Sequence, residues 1–284
     1  MARQATSMTP AQAERLRQFH GAQHALDQLD QRHRQDFTSP QRNLVPRPAL
    51  PKFHKLLVTA ERQCMRGVPL RDRTRRKAAA AEAQGVAEKW AVDLLTLAER
   101  EQREQQAQLD SHWAALYAND PHTVVATLTE AFALRGRRLK VRGMYEGEVG
   151  LLAPLPHLDA VPLQKPGYTP RGTPTVHAMT HTERNEWFAQ VVASELLLAA
   201  KESFALAPAL PAVRVVGMGE RGLPLVAARI QRDLLQAANW QSGAWPILHR
   251  LDPEMRVDVR GRTRALHTMD LRANPVYGAL IAAG

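Results

Sequence analysis

From Val86 to Asp120 the chain runs thirty-five residues without a glycine or a proline. The centre of that run, Glu99-Arg100-Glu101-Gln102-Arg103-Glu104-Gln105-Gln106, carries no apolar side chain. Helix formers dominate it and nothing in it favours a β-strand. One long helix is therefore predicted. Its ends are apolar at helical spacing, through Trp90, Leu94 and Leu97 on one side and Leu109, Trp113 and Leu116 on the other. No heptad continues through 99–106, which disfavours a plain coiled coil. The expected helix packs at both ends and is solvated or salt-bridged at its waist. Gly85 is a candidate interruption; without a break the helix reaches back toward Leu70.

The remaining punctuation sets the order of elements. Thr9-Pro10 opens a first helix, with Thr as the cap and Pro at the first helical position. Four prolines between residues 39 and 52 mark an extended connector. A second helix fits residues 52–66, and Gly67-Val68-Pro69 ends it. After the long helix, Asp120-Pro121 starts a shorter one that closes at Gly136. The pattern then changes to strands, Leu139 to Met144 and Glu148 to Ala153, around the turn Tyr145-Glu146-Gly147. Val161 to Pro174 reads as a Pro/Gly-rich connection, and Thr175 to Met179 as a short strand. Thr180-His181-Thr182-Glu183 has capping-box spacing and opens an apolar helix over about 181–206. Val213 to Met218 and Leu223 to Ile230 form a hairpin. Asp233 to Ala238 is a candidate short helix and Val257 to Arg264 a further strand. The expected fold is α+β: an N-terminal long-helix arm, then a small mixed sheet in the order β-β-β-α-β-β with one long packed helix. Three segments follow: 1–70, 71–135 and 136–284.

Two stretches carry a resemblance. One is Trp113-x-x-Leu116 followed by Asn119-Asp120-Pro121, Val124, Leu128 and Ala131-Phe132. The other runs from Leu158 to Ala205, through Thr169-Pro170-Arg171-Gly172, Thr182-Glu183-Arg184-Asn185 and Glu202-Ser203-Phe204-Ala205. Together they resemble a pattern in uncharacterised proteins of high-GC bacteria, over roughly residues 85–232. The resemblance implies a helical N-terminal arm and a C-terminal α+β domain. No activity is attached to that family, so it supplies no catalytic residues.

Charge narrows the partners. The formal net charge is +10, and it is uneven: residues 1–78 hold 16 basic and 6 acidic side chains, whereas residues 79–135 hold 4 and 9. A basic chain favours polyanions, nucleic acid first and an anionic membrane surface second. No window is apolar enough to span a membrane and no secretory leader is evident, so a cytoplasmic location is expected. The single cysteine, Cys64, rules out an intramolecular disulfide and multi-cysteine zinc sites, and reads as a small buried apolar residue. Hydrophobic residues make up 44% of the chain, which excludes global disorder.

Two basic runs are the candidate contacts. Arg71, Arg73, Arg75, Arg76 and Lys77 lie within seven residues at a helix start and would fan toward several phosphates. Arg137, Arg138, Lys140 and Arg142 follow Arg135-Gly136; on a strand, Lys140 and Arg142 would share one face. Aromatics are only 5% of the chain, so base stacking has no support. A restriction-endonuclease-like Mg²⁺ site would draw on Glu146, Glu148, Asp159 and Lys165, but position 163 is Leu and the acid-x-Lys spacing fails at Lys165. His20 and His24 have metal-ligand spacing with His33 as the nearest third ligand, and read better as a surface pair. Gly217-Met218-Gly219-Glu220-Arg221-Gly222 matches a dinucleotide fingerprint in spacing only; a strand follows it, so a hairpin turn explains the glycines. Glu195, on the apolar helix, would need an arginine if buried, and Arg214 or Arg229 could supply it.

The expected function is a non-enzymatic, sequence-nonspecific nucleic-acid-associated protein, DNA ahead of RNA, self-associating as a homo-oligomer through its helical arm. No cofactor and no metal are expected. The alternatives are a protein–protein scaffold without nucleic-acid binding, or a Mg²⁺-dependent, restriction-endonuclease-like nuclease.

Overall fold

A computed structural model describes residues 9–42 and 44–282. The fold is α+β. The chain's contacts gather into two compact units, one of residues 9–40 and 115–282 and the other Gln41–Ala114.

The first unit begins with α1 (Pro10–Gln31). Thr9 and Gln12 form a complete capping box, each side chain bonding the other's backbone N–H, with proline in the first turn. In the second unit, α2 (Phe53–Cys64) packs on α3 (Arg73–Tyr117) through Ala60, Ala83 and Ala87, with Leu56, Leu57, Cys64, Val86 and Trp90 around them. Alanines at this contact let the two helices approach closely. Gly85 does not interrupt α3; a helical glycine costs under about 1 kcal/mol, too little to break forty-five residues of continuous helix. The polar waist of α3 has a structural use. Gln106 Oε1 accepts from the Val45 N–H at 2.8 Å, Gln102 donates to the Val45 carbonyl at 3.1 Å, and Arg42 reaches Asp110 at 2.7 Å. The extended connector has no strand to pair with, and these helix side chains satisfy its backbone instead.

The first unit resumes with α4 (Pro121–Leu134), capped by Asp120, whose carboxylate accepts from Thr123 N–H and Oγ1–H. Next come β1 (Lys140–Tyr145), β2 (Glu148–Pro154), β3 (Gln164–Tyr168) and β4 (Pro174–Ala178), then α5 (His181–Leu206). After α5 follow β5 (Ala212–Met218), β6 (Pro224–Gln231), α6 (Arg232–Gln236), α7 (Ala244–Leu251), β7 (Arg256–Arg260), β8 (Ala265–His267) and α8 (Gly278–Ala282). Six strands form one sheet in the order β1-β2-β5-β6-β7-β8; β3 and β4 pair separately. β2 and β5 are parallel, and α5 lies in the crossover between them, as a parallel connection requires. The expected Pro/Gly-rich connection Val161 to Pro174 thus contains a strand, β3, paired with β4 and packed beside α1, where Tyr168 meets Phe19 at 5.3 Å between ring centroids. Pro166 and Gly167 hide it in the sequence, because both are poor strand formers.

α5 is buried around most of its circumference and covers one face of the sheet. Gly217 makes room there: a Cβ would lie 2.8 Å from Leu155 and 3.2 Å from Leu196 and would push their methyl ends aside. The opposite face carries Leu152, Val216 and Ala227 under Leu271, Tyr277 and Leu280 of the C-terminal segment. Among the described residues no helix is long and apolar enough to cross a membrane.

His33, just after α1, ties the N-terminal segment to this body. It is fully buried; its Nε2–H donates to the Ser242 carbonyl at 3.0 Å, and Nδ1 has no hydrogen-bond partner. Burial holds its pKa below the usual 6.5, against the opposing Ser242 hydrogen bond. The neutral form is the folded form. Its contribution is complete above pH 6.5 and is lost as pH falls from there through the lowered folded value. Urea midpoints measured from pH 7.5 down to pH 5 are expected to decline, and His33→Gln is expected to flatten that decline. An unchanged slope in the variant would remove His33 from the account.

Candidate functional site

The basic residues singled out from the sequence meet different fates. In the second unit Asp72 caps α3, accepting from the Arg75 N–H at 3.0 Å, and pairs with the Arg75 side chain at 3.2 Å. Arg71, Arg73 and Lys77 are exposed and Arg76 is half-buried, and none of the four has a carboxylate partner among the described residues. In the first unit Arg135 and Arg137 are engaged: both bind Glu202 of α5, at 3.0 and 3.1 Å, and Glu202 is buried. Arg138 and Lys140 remain exposed. Arg142 sits at a bulge, where pairing jumps from Val141↔Leu151 to Gly143↔Gly150. That break removes the simple alternation by which Lys140 and Arg142 would share one face.

The residues considered for a metal-dependent nuclease are held in ion pairs. Glu146 and Glu148 bind Arg214, Asp159 binds Arg184, and Lys165 binds Glu183. Lys165 first, and then the Thr180 N–H, hold the Glu183 carboxyl at about 2, as suits a carboxylate closing the cap of α5. His20 meets the Phe19 ring edge-on, His24 bonds Gln28, and His33 is buried against Ser242, so the three N-terminal histidines serve separate contacts. Among the described residues no group of three or more His, Cys, Asp or Glu side chains is arranged to hold a metal ion. The glycines at 217–222 close the β5–β6 hairpin, with Gly219 N–H bonded to the Leu223 carbonyl at 2.8 Å and Arg221 and Gly222 at positive φ. Glu195 is buried as expected, but its partner is Arg32, not Arg214 or Arg229. Those two arginines are committed to another carboxylate.

That commitment is the densest charge arrangement on the sheet. Register places Gly150 beside Arg214 and Arg214 beside Arg229, so Glu148, Arg214 and Arg229 lie on the face that carries Leu152 and Val216. Arg214 Nε donates to Glu148 Oε2 at 2.7 Å; Arg229 Nε donates to Glu148 Oε1 at 2.9 Å, and its Nη2 bonds the same oxygen. Arg214 also reaches the exposed Glu146 at 2.7 Å. Burial pulls the Glu148 pKa upward, but hydrogen bonds and charge from Arg229 and Arg214 outweigh it, and the carboxyl lies below 4.5. Glu148 is therefore an anion that fixes two guanidinium planes.

Arg229 leads into an open cleft of about 500 Å³. Its walls come from the end of α7 (Arg250), the turn at Asp252 and Glu254, β7 (Arg256) and the segment before α8 (Tyr277). Tyr277 is buried, and burial raises its pKa well above the usual value, so the phenol stays protonated. Asp252 is occupied, accepting the backbone N–H of Arg229 at 2.8 Å and of Glu254 at 3.2 Å. No sequence motif announces this cleft; Glu148 and Arg229 are 81 residues apart, and only the sheet register brings them together.

Glu148→Gln leaves two guanidiniums beside a neutral amide. A destabilisation of about 2–3 kcal/mol is expected in urea unfolding, below the full range for a broken buried pair because Arg229 is partly open to water. The native Glu148 contribution is complete above pH 4.5 and is lost as pH falls through its lowered folded pKa. Acid unfolding of Glu148→Gln is expected to lack that step; wild-type stability and wild-type acid dependence in the variant would refute the assignment.

No family model matches the chain, and no curated protein or solved structure is significantly similar to it, so the likeness over residues 85–232 remains a resemblance of sequence pattern.

Proposed function

We propose that the protein holds nucleic acid without sequence preference, through cations at the start of α3, and self-associates through the unit Gln41–Ala114. The observation that carries this reading is the group of exposed Arg71, Arg73 and Lys77 with half-buried Arg76, none of which has a carboxylate partner among the described residues. These cations sit at the positive end of a helix dipole, where they are unfavourable to the free protein. A phosphate backbone removes that penalty and releases its own counterions. Arg138 and Lys140 offer a second, smaller set on the first unit; Arg137, spent on Glu202 together with Arg135, is withdrawn from the expected contact list.

A second reading has its own support. Leu94 and Leu97, three residues apart on one side of α3, are 48% and 54% exposed, an apolar surface suited to a protein partner or a second copy. In the scaffold reading this surface is the functional one and the arginines only keep the protein soluble. The nuclease reading has no observation in its favour.

Binding of a fluorescent duplex across about 50 to 200 mM salt separates these. Affinity is expected to fall steeply with salt. Changing Arg71, Arg73, Arg76 and Lys77 together to Ala is expected to flatten the log–log slope by about 3.6 and weaken binding at low salt at least tenfold. Unaltered affinity in that variant, with a helical spectrum like the wild type, sinks the proposal. Absence of binding at low salt together with a stable dimer supports the scaffold.

A further inference from the structure

We propose that the cleft beside β6 and β7 is a binding site for a phosphate monoester. Three guanidiniums from three different elements line it: Arg229 on β6, Arg250 at the end of α7 and Arg256 on β7. Arg250 and Arg256 are exposed and have no carboxylate partner among the described residues. Arg229 is oriented by Glu148, which holds Nε and Nη2 and leaves the remaining edge of the guanidinium uncommitted. Register supports the convergence: Arg256 pairs with Ala227, two residues from Arg229, so both arginines rise from the same sheet face. Planar guanidiniums meeting from separate directions match the several oxygens of a phosphate better than the two of a carboxylate.

The acids in the cleft set the charge the ligand must carry. Asp252 spends both oxygens on backbone N–H groups, which fixes its carboxylate but leaves its negative charge in the cleft. Glu254 is exposed at the rim, and the two acids together oppose an anion against the three guanidiniums. A head group with close to two negative charges overcomes that opposition; a single carboxylate gains less from the same arginines. Leu234 and Val276 give the cleft an apolar side, and about 500 Å³ accommodates a phosphate with a body the size of a nucleoside. The shared chemistry is a phosphate on one ester oxygen, supplied either by a free phosphorylated small molecule or by the 5′ end of a nucleic-acid strand.

The site shares no residue with the start of α3, so its failure and the failure of backbone binding are separable. Adenosine 5′-monophosphate, inorganic phosphate and unphosphorylated adenosine are titrated calorimetrically into the full chain. The two phosphate-bearing probes are expected to bind and adenosine is not. Arg250→Ala with Arg256→Ala is expected to weaken adenosine 5′-monophosphate at least tenfold, while Glu254→Gln tightens it about threefold. Arg262→Ala, on the turn after β7, removes the same charge outside the cleft and is expected to change nothing. Equal weakening by Arg262→Ala, insensitivity to the Arg250 and Arg256 changes, or weakening by Glu254→Gln would each overturn the proposal. All four positions are exposed, and melting curves verify that the variants fold. A short 5′-phosphorylated strand that outcompetes both its 5′-hydroxyl counterpart and the mononucleotide identifies a strand end as the ligand. Equal competition by mononucleotide and strand identifies a free small molecule.

Discussion

Two carboxylates on the buried helix α5 have to be neutralised, and meeting that requirement shapes the first unit. Glu195 and Glu202 sit seven residues apart on one helical side, where water cannot solvate them. Glu195 takes Arg32 from the end of the N-terminal helix; Glu202 takes Arg135 and Arg137 from the α4–β1 junction. Burying an ion pair contributes little net stability, but losing one partner is costly, so each pair pins its segment to α5. Lys201 adds to the same clamp, reaching Asp36 at 2.9 Å and lying over the Trp240 ring at 4.3 Å. The basic composition is thus partly internal. Arginines that raise the pI are not all available to an external anion, and the distinction lies in α5 more than in the basic runs themselves.

Local signals explain what could be read from residues alone. The Thr9, Asp120 and Thr180 caps, the uninterrupted α3 and the 219–222 turn depend on neighbours within a few positions, and the structure has them where the spacing predicts. Elements that depend on tertiary partners were hidden. β3 contains Pro166 and Gly167 and exists because β4 and α1 lie beside it. α7 and α8 are short, and their apolar residues carry meaning only against α5 and the far face of the sheet. Pairings across long separations were the least legible. Arg214 and Arg229 were available to Glu195 by sequence, but they face the opposite side of the sheet from α5, where Glu148 is the carboxylate within reach.

The same geometry explains why the cleft carries no motif. Arg229, Arg250 and Arg256 have ordinary sequence contexts, and each could be a solvated surface residue. What singles them out is the combination of β6–β7 pairing, the end of α7 and the Asp252 turn, which uses up the nearest acid on backbone N–H groups. Charge open to an outside ligand in this protein is what remains after the fold has satisfied its own carboxylates.

The parallel alignment of β2 with β5 has a kinetic consequence. β1 with β2, and β5 with β6, are each antiparallel neighbours that can zip locally, whereas β2 can meet β5 only after the whole intervening stretch with α5 has been drawn across. Loop-closure entropy falls on that one event, so the β2–β5 pairing is expected to be the slowest of the sheet to form. A chain in which that pairing has not formed would expose the apolar side of α5 and of the strands beneath it, so slow closure carries an aggregation risk.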